Sequence, residues 1–368
     1  MRKVISILCL IALFEGFAQD SIPSVDSLDV AIGQMILIGL GDFDEVNSKA
    51  PIFDEIRSGM VGGVILFEKN LAIGQTARKL SDLITYTQAQ SSIPLFISID
   101  EEGGSVTRLK TKYGFPEHKG ARYFGNKDLV DTTFLYAERT ASLLDSLGIN
   151  MNFAPCVDVN INLQNPVIGK IGRSFSPNDT IVAKHAFEVV KAQKAHGIIS
   201  VLKHFPGHGS SKSDTHLGVA DVSDTWVLRE LYPYKFLLDS GMVDAIMTAH
   251  IVNRSLDEDL LPATLSKSIV SGLLRDFLKY DGVVISDDLQ MRAISDHFGL
   301  RETIKKSILS GIDILLFANN VPDYELVTAT EIHQLIKEMV LANEIPMSRI
   351  WKSYQRISKL KRIIGLME

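Results

Sequence analysis

Eight short apolar runs recur along the chain, and most are followed by a stretch whose apolar residues repeat at helical spacing. The runs are Gln34–Leu40, Val61–Phe67, Pro94–Asp100, Asn150–Val157, Ile198–Lys203, Ala245–Ala249, Gly282–Ser286 and Asp313–Phe317. Each is the length of a buried strand and carries at least one β-branched residue. Between them lie Ala77–Gln90, Thr132–Leu147, Ile181–Ala195, Thr225–Ser240 and Ser266–Lys279. In the last of these Ile269, Leu273, Leu274, Phe277 and Leu278 follow a Ser266 N-cap at helical spacing. Strands that alternate with helices pair in parallel through right-handed crossovers. Eight such units fit an α/β chain folded as a (β/α)8 TIM-type barrel. Glu325–Leu341 and Met347–Ile363 read as helices that close its wall.

A doubly wound open sheet would gather its polar groups at a single switch point. Here they are spread over the ends of five runs. Asp100 ends the third, Asp158 follows the fourth, Lys203 and His204 end the fifth, His250 follows the sixth, and Asp287 and Asp288 end the seventh. Such a spread converges on one mouth only if the sheet closes. No Pro/Gly/Ser linker divides the chain, so residues 19–368 read as one domain.

Residues 1–18 are expected to form a signal peptide. Basic Met1-Arg2-Lys3 precedes the apolar run Val4–Phe14, and Gly16-Phe17-Ala18 supplies small residues at the exit. The run is too short to span a bilayer, so export to the periplasm or outside is expected, without stable membrane insertion. Once that segment is removed Cys156 is the sole cysteine, which excludes an intrachain disulfide. A net charge of −6 and the lack of any basic run argue against a nucleic-acid partner.

The densest chemistry lies in Lys203–Gly218, where three histidines, two lysines and an aspartate hang on three glycines and a proline. A rigid scaffold that ends in such a loop is a usual place for catalytic groups. Asp287, at the rim of an apolar strand, has the fixed and partly desolvated position that suits a nucleophile or an electrostatic stabiliser. Asp288 should point away or cap the following helix. Asp100, in Asp100-Glu101-Glu102-Gly103-Gly104, can accept two hydroxyl hydrogen bonds, and Arg108 and Arg173 can donate to oxygens in a forked geometry. Carboxylates, Lys, Arg and His without a phosphate loop describe a polyhydroxylated, largely uncharged ligand, which a sugar fits.

A sugar hydrolase with two side chains at the bond needs a nucleophile and a proton donor. His216, two residues from Asp214, can serve as the donor, with the aspartate stabilising the imidazolium. His208 and His250 are candidates for the pocket wall, whereas His185, His196 and His333 read as surface or satisfied core groups. His118 and His297 are loop residues with no evident partner. The loop Gly207–Gly218 is expected to move, because nothing local in the sequence fixes His216 over the pocket.

Lys203–Gly218, together with Asp100–Gly104, Gly172-Arg173-Ser174-Phe175, Met247-Thr248-Ala249-His250 and Ser286-Asp287-Asp288-Leu289-Gln290-Met291, resembles glycoside hydrolase family 3. More narrowly, the chain is similar to that family's single-domain bacterial β-N-acetylglucosaminidases. The resemblance implies a (β/α)8 barrel and hydrolysis of terminal β-linked N-acetylglucosamine with retention, through a glycosyl-enzyme. It implies Asp287 as nucleophile, His216 as acid/base and Asp214 as its support, with Asp100, Arg108, Arg173, Lys203 and His204 holding the sugar. It implies neither a metal nor another cofactor, and a carbohydrate substrate, an N-acetylglucosamine-terminated glycan or muropeptide, as the partner. A β-glucosidase or a glycoside phosphorylase would use the same residues and is the alternative. Many relatives act in the cytoplasm, whereas this chain is expected to be exported. A metal-dependent hydrolase would have to ligate through His204, His208 or His216 with Asp287, yet the spacing matches no zinc-helix motif and Lys203 disfavours a cation. A non-catalytic sugar-binding module would not be expected to keep both Asp287 and His216.

Overall fold

A computed structural model describes residues 25–215, 217–320 and 326–367. The expected signal peptide and His216 lie outside the described residues. All eight runs form strands: β1 (Ile36–Gly39), β2 (Gly63–Leu66), β3 (Phe96–Ile99), β4 (Met151–Asn152), β5 (Ile199–Phe205), β6 (Ala245–Thr248), β7 (Val283–Ile285) and β8 (Leu315–Phe317). Every one is buried along its whole length. That is the pattern of strands covered on both faces, and it explains why the runs are continuously apolar rather than alternating.

Pairing is parallel throughout, in sequence order from β1 to β7, and β8 pairs back onto β1 with Ile36 opposite Leu315. A parallel bridge between Ile285 and Ile314 joins β7 to the entry of β8, backed by Ser286 N–H donating to Ile314 O at 2.9 Å. The sheet therefore closes into a barrel. A separate parallel pair, Ala220–Asp221 with Ile251–Val252, lies outside it.

The surrounding helices form where the periodicity predicts them, with displaced ends. Thr76–Ala89, Val130–Leu147, Asp179–Ala195 and Met347–Ile363 match the expected segments closely. The segment expected from Thr225 starts its α-helix only at Tyr232, after the 3-10 turn Leu228–Leu231. Glu325–Leu341 begins at Ala329, where the Thr328 hydroxyl accepts Glu331 N–H at 3.1 Å as an N-cap. Ser266 does accept Ile269 N–H at 3.1 Å, but Ser268–Phe277 is wound as a π-helix. More residues per turn rotate the far end out of register, so Phe277, expected on the apolar face, is 69% exposed. The sequence reading did not anticipate helices Val25–Gln34 and Leu300–Ser310.

Two buried polar clusters sit at the amino ends of the strands. Lys361, fully buried, donates to Gln34 Oε1 at 2.6 Å, Gly62 O at 3.2 Å and Pro94 O at 2.5 Å, just before β1, β2 and β3. Burial without a carboxylate pushes this amine down to about 7. The second cluster gathers Arg275, Arg349 and Arg356 around Asp313, at the seam between β7 and β8. Both lie opposite the face where sequence places the chemistry, in keeping with a barrel that separates stability from function.

Candidate active site

The carboxyl ends of the strands open into a cleft of about 420 Å³. Its lining includes Asp100, Arg108, Arg173, Lys203, His204, Asp214 and Asp287. Seven of the eight sequence-predicted site residues therefore share one space, and the eighth is His216. The apolar part of the wall comes from Ile65, Phe67, Phe153, Met247 and Leu316, so nearly every strand contributes.

Asp100 stands one residue beyond β3. Lys203 Nζ donates to its Oδ1 at 2.7 Å and Arg108 donates to its Oδ2 at 3.1 Å. Burial alone would raise this carboxyl, but Lys203 and then Arg108 outweigh it and hold Asp100 well below the usual carboxylate range. It stays ionised, with lone pairs left to accept ligand hydroxyls.

Glu102, not singled out from sequence, is the other half of this arrangement. Arg173 forks onto it, Nε to Oε2 at 3.0 Å and a terminal nitrogen to Oε1 at 2.7 Å, while Lys203 Nζ lies 2.7 Å from Oε1. Arg173 also donates to Val167 O at 3.1 Å and contacts His204 Nε2 at 3.1 Å. Much of the Arg173 fork is thus directed at Glu102 and His204 rather than kept for a ligand. Its charge against Glu102 holds both ions in place despite their burial. Glu101, next in the chain, accepts Arg108 N–H at 2.8 Å, Leu109 N–H at 3.0 Å and His118 Nδ1–H at 2.7 Å. It also bonds the Thr107 hydroxyl. That network ties the Arg108 loop to β3 and gives His118 the partner that the sequence did not reveal.

Because a guanidinium only donates, His204 Nε2 accepts from Arg173, and Nδ1 donates to Asp158 Oδ2 at 2.6 Å. Asp158 Oδ1 accepts His208 N–H at 2.7 Å, and His204 N–H lies 3.3 Å from it. Burial would raise the Asp158 carboxyl, but His204 and the surrounding N–H donors keep it well below the usual range. Asp158 thus sets the tautomer of a cleft residue from behind the wall. Cys156, Asp158 and His204 bring three ligand atoms within 4.8 Å of one another, the donor set a metal ion would meet. In this structure those atoms bond to each other, with Cys156 Sγ–H donating to Asp158 Oδ2 at 3.2 Å. Burial and then the Asp158 charge push the thiol up, so a cation here would have to displace two held protons.

Asp287 lies two residues past β7 and Asp288 beside it, both on the cleft wall. Their backbone roles differ. Asp288 Oδ1 accepts Gln290 N–H at 3.1 Å and Ala318 N–H at 3.1 Å, fixing the turn to the strand next door. Asp287 Oδ1 accepts Asp288 N–H at 2.8 Å. His250, proposed for the pocket wall, lies beneath it instead. Its Nε2 donates to Asp288 O at 2.9 Å and its Nδ1 contacts Thr264 Oγ1 at 2.9 Å. His208 is likewise absent from the wall. Burial holds it down to about 4, so it is neutral.

The loop from Gly207, expected from sequence to move, is anchored at its base by distant segments. Its first half, through Ser211, is buried. Asn165 Nδ2 donates to His208 O at 2.7 Å, and Asn162 Nδ2 donates to Ser211 O at 2.8 Å. Gly209 packs so closely that a Cβ there would lie 1.7 Å from Val159 O, which accounts for the glycine. Lys212 and Leu217 are exposed, whereas Thr215 between them is buried and its carbonyl accepts Ala293 N–H at 3.3 Å. These anchors come from segments that no local pattern connects to the loop.

The closed parallel barrel, with charged, hydroxyl-matched groups gathered at the carboxyl ends of its strands, defines the class as a TIM-barrel protein with a polar ligand site at the usual face. The chain belongs to glycosyl hydrolase family 3, whose N-terminal domain matches residues 27–360. A β-hexosaminidase A from Pseudoalteromonas piscicida is 36% identical over 326 residues, which cover 82% of this chain and 53% of that protein. β-Hexosaminidase LpqI from Mycobacterium tuberculosis is 31% identical over 352 residues, 92% of this chain and 84% of the relative. Among solved structures, a family 3 β-N-acetylglucosaminidase from Paenibacillus superposes with a TM-score of 0.84 at 33% identity, covering 92% of this chain and 63% of that one. A β-N-acetylhexosaminidase from Beutenbergia cavernae gives 0.79 at 27% identity, with coverages of 91% and 98%. The chain thus spans about half of the first relative and nearly all of the last. Among the described residues no helix is long and apolar enough to cross a membrane.

Proposed function

We propose that residues 19–368 form an exported β-N-acetylhexosaminidase that removes terminal β-linked N-acetylglucosamine, with retention, from peptidoglycan fragments or similar glycans. The observation that carries this reading is the single cleft in which Asp287 and Asp214 face the same space as Asp100, Arg108, Arg173, Lys203 and His204. The hexosaminidase names of the relatives support the choice of sugar.

In this reading Asp100 accepts hydrogen bonds from the hydroxyls of the sugar, and Lys203, Arg108 and His204 complete the polar cradle. Asp287 attacks the anomeric carbon while His216 gives its proton to the glycosidic oxygen, and the bond to the leaving group breaks. Water then attacks the glycosyl-enzyme as His216 takes a proton back, so two inversions retain configuration. Asp214 stabilises the imidazolium.

A panel of 4-nitrophenyl glycosides, assayed with and without inorganic phosphate and with excess chelator, tests the proposal. The β-N-acetylglucosaminide should react fastest, with no dependence on phosphate or metal. A faster β-glucoside would remove the assigned specificity, and release of a sugar 1-phosphate would make the protein a phosphorylase. Loss of activity to chelator, restored by zinc, would overturn the mechanism.

His216→Ala should slow substrates with poor leaving groups by roughly 10²–10⁴-fold and largely spare activated aryl glycosides, which need little protonation. Asp214→Asn should show the same trend more weakly. Glycosylation rates measured against leaving-group pKa are the check. Equal slopes for the wild type and His216→Ala would exclude His216 as the acid.

A further inference from the structure

We infer that Glu230 is a positioning residue for the proposed acid/base pair, holding from beneath the base of the loop that brings Asp214 to the cleft. The inference rests on the proposed function and assigns a role to a residue outside the cleft wall. Glu230 lies in the 3-10 turn Leu228–Leu231 and is fully buried. Ser210 N–H donates to its Oε2 at 3.3 Å and Val227 N–H donates to its Oε1 at 3.3 Å. The side chain therefore spans from its own turn to the loop.

The contact at Gly207 is tighter still. A Cβ there would lie 2.7 Å from Glu230 Cβ and 3.0 Å from Oε2. Gly207 has a φ of +122°, in the region that favours glycine, so the loop bends directly over the carboxyl. On the other side Asp158 Oδ1 accepts His208 N–H at 2.7 Å. Asp158 and Glu230 thus clamp four successive residues, Gly207 to Ser210, between them. The loop then runs on to Asp214 at the mouth, so a shift at its base is carried to the acid/base.

Asp158 is paired with His204, but among the described residues no cation pairs with Glu230. The titratable groups coupled to it are Asp158, an anion, and Tyr234, buried and un-ionised. Burial, with the Asp158 charge adding, pushes Glu230 up to about 8, so at neutral pH the clamp is an uncharged acid. An ionised Glu230 would repel Asp158 across the loop.

The sign of the pH effect follows. Between about pH 4.5, where an unfolded glutamate ionises, and about pH 8 the folded chain holds a proton that the unfolded chain does not. Stability therefore falls across that window on account of Glu230 and levels off above it. Glutamine keeps the shape and stays neutral at every pH.

The test uses the full chain, with Glu230→Ala and Glu230→Gln variants, on an N-acetylglucosamine disaccharide and on an activated dinitrophenyl glycoside. Glu230→Ala should lower kcat for the disaccharide by roughly tenfold or more and spare the activated substrate, with KM nearly unchanged. Glu230→Gln should keep both rates near the wild type at pH 7, and its melting temperature should rise relative to the wild type between pH 5 and pH 8. Equal losses on both substrates, an effect confined to KM, or a Glu230→Gln minus wild-type difference that does not change with pH would overturn the inference. Should Glu230→Ala fail to fold, Glu230→Asp, one methylene short of Ser210 N–H, takes its place on the two substrates. A wild type inactive on both N-acetylglucosaminides would instead defeat the proposed function. A wild type active on both, with Glu230 variants that keep its leaving-group dependence, would defeat only this inference.

Discussion

Asp287→Ala is expected to lower kcat on a β-N-acetylglucosaminide by about 10⁴-fold or more, because removing a nucleophile leaves only binding and electrostatic help from the rest of the site. The carboxylate sits two residues beyond β7 on the wall of the cleft that also holds Asp100 and Lys203. Asp288→Asn is the paired control. The Asp288 Oδ1 already serves two backbone N–H groups, those of Gln290 and Ala318, and an asparagine oxygen keeps both bonds. Its loss should be far smaller. The melting temperatures of both variants should stay close to the wild type, since Asp287 borders the open cleft and an asparagine at 288 keeps its backbone bonds. Azide added to Asp287→Ala should restore turnover and give the glycosyl azide of inverted configuration, because a small anion fills the vacated space. If Asp288→Asn proved the more damaging change, the nucleophile would be misassigned.

The largest effect on stability is expected at the opposite end of the barrel. Asp313 is fully buried one residue before Ile314, whose bridge to Ile285 closes the sheet. Arg275 donates to its Oδ2 at 2.7 Å, and Arg349 and Arg356 approach its Oδ1 at 3.2 and 3.3 Å. Ser353 Oγ donates to Oδ1 at 2.8 Å and Val284 N–H donates to Oδ2 at 3.1 Å. One carboxylate thus joins β7, the π-helix, the entry of β8 and the C-terminal helix. Asp313→Ala leaves three largely buried guanidinium groups short of their counter-charge, and breaking such a cluster costs about 3–5 kcal/mol. Urea denaturation followed by circular dichroism measures it. Asp313→Asn should fall between, keeping the hydrogen-bond acceptor but not the charge. A loss below about 1 kcal/mol for the alanine variant would mean that the seam is held by strand pairing and apolar packing alone.

The eight strands and most of the helices were legible in the sequence because their cause is local. A run such as Val64-Ile65-Leu66 or Leu315-Leu316-Phe317 is apolar at every position, and only a strand covered on both faces can bury it whole. Closure was legible as well, since polar residues that end five separate runs cannot share a mouth on an open sheet. Asp100, Lys203, His204 and Asp287 followed from that argument before any contact was known. The local signal failed where winding or pairing overrode it. Phe277 turned outward on a π-helix, and β4 stopped at Asn152. There the Asn152 side chain bonds both the N–H and the carbonyl of Glu101, fastening the turn after β3.

Charge pairing across the site was decided by the tertiary structure alone. Lys203 meets Asp100 across 103 positions of sequence, and Arg173 reaches Glu102 across 71. His204 takes its tautomer from Asp158, and the loop to Asp214 takes its footing from Glu230. His208 and His250 carry the same signal in sequence as a cleft histidine, yet the barrel turns both inward beneath the wall. Periodicity reports which face of its own element a side chain lies on. Which charges meet, which carboxyl keeps its proton and which imidazole faces solvent depend on desolvation by residues brought together only when the sheet closes.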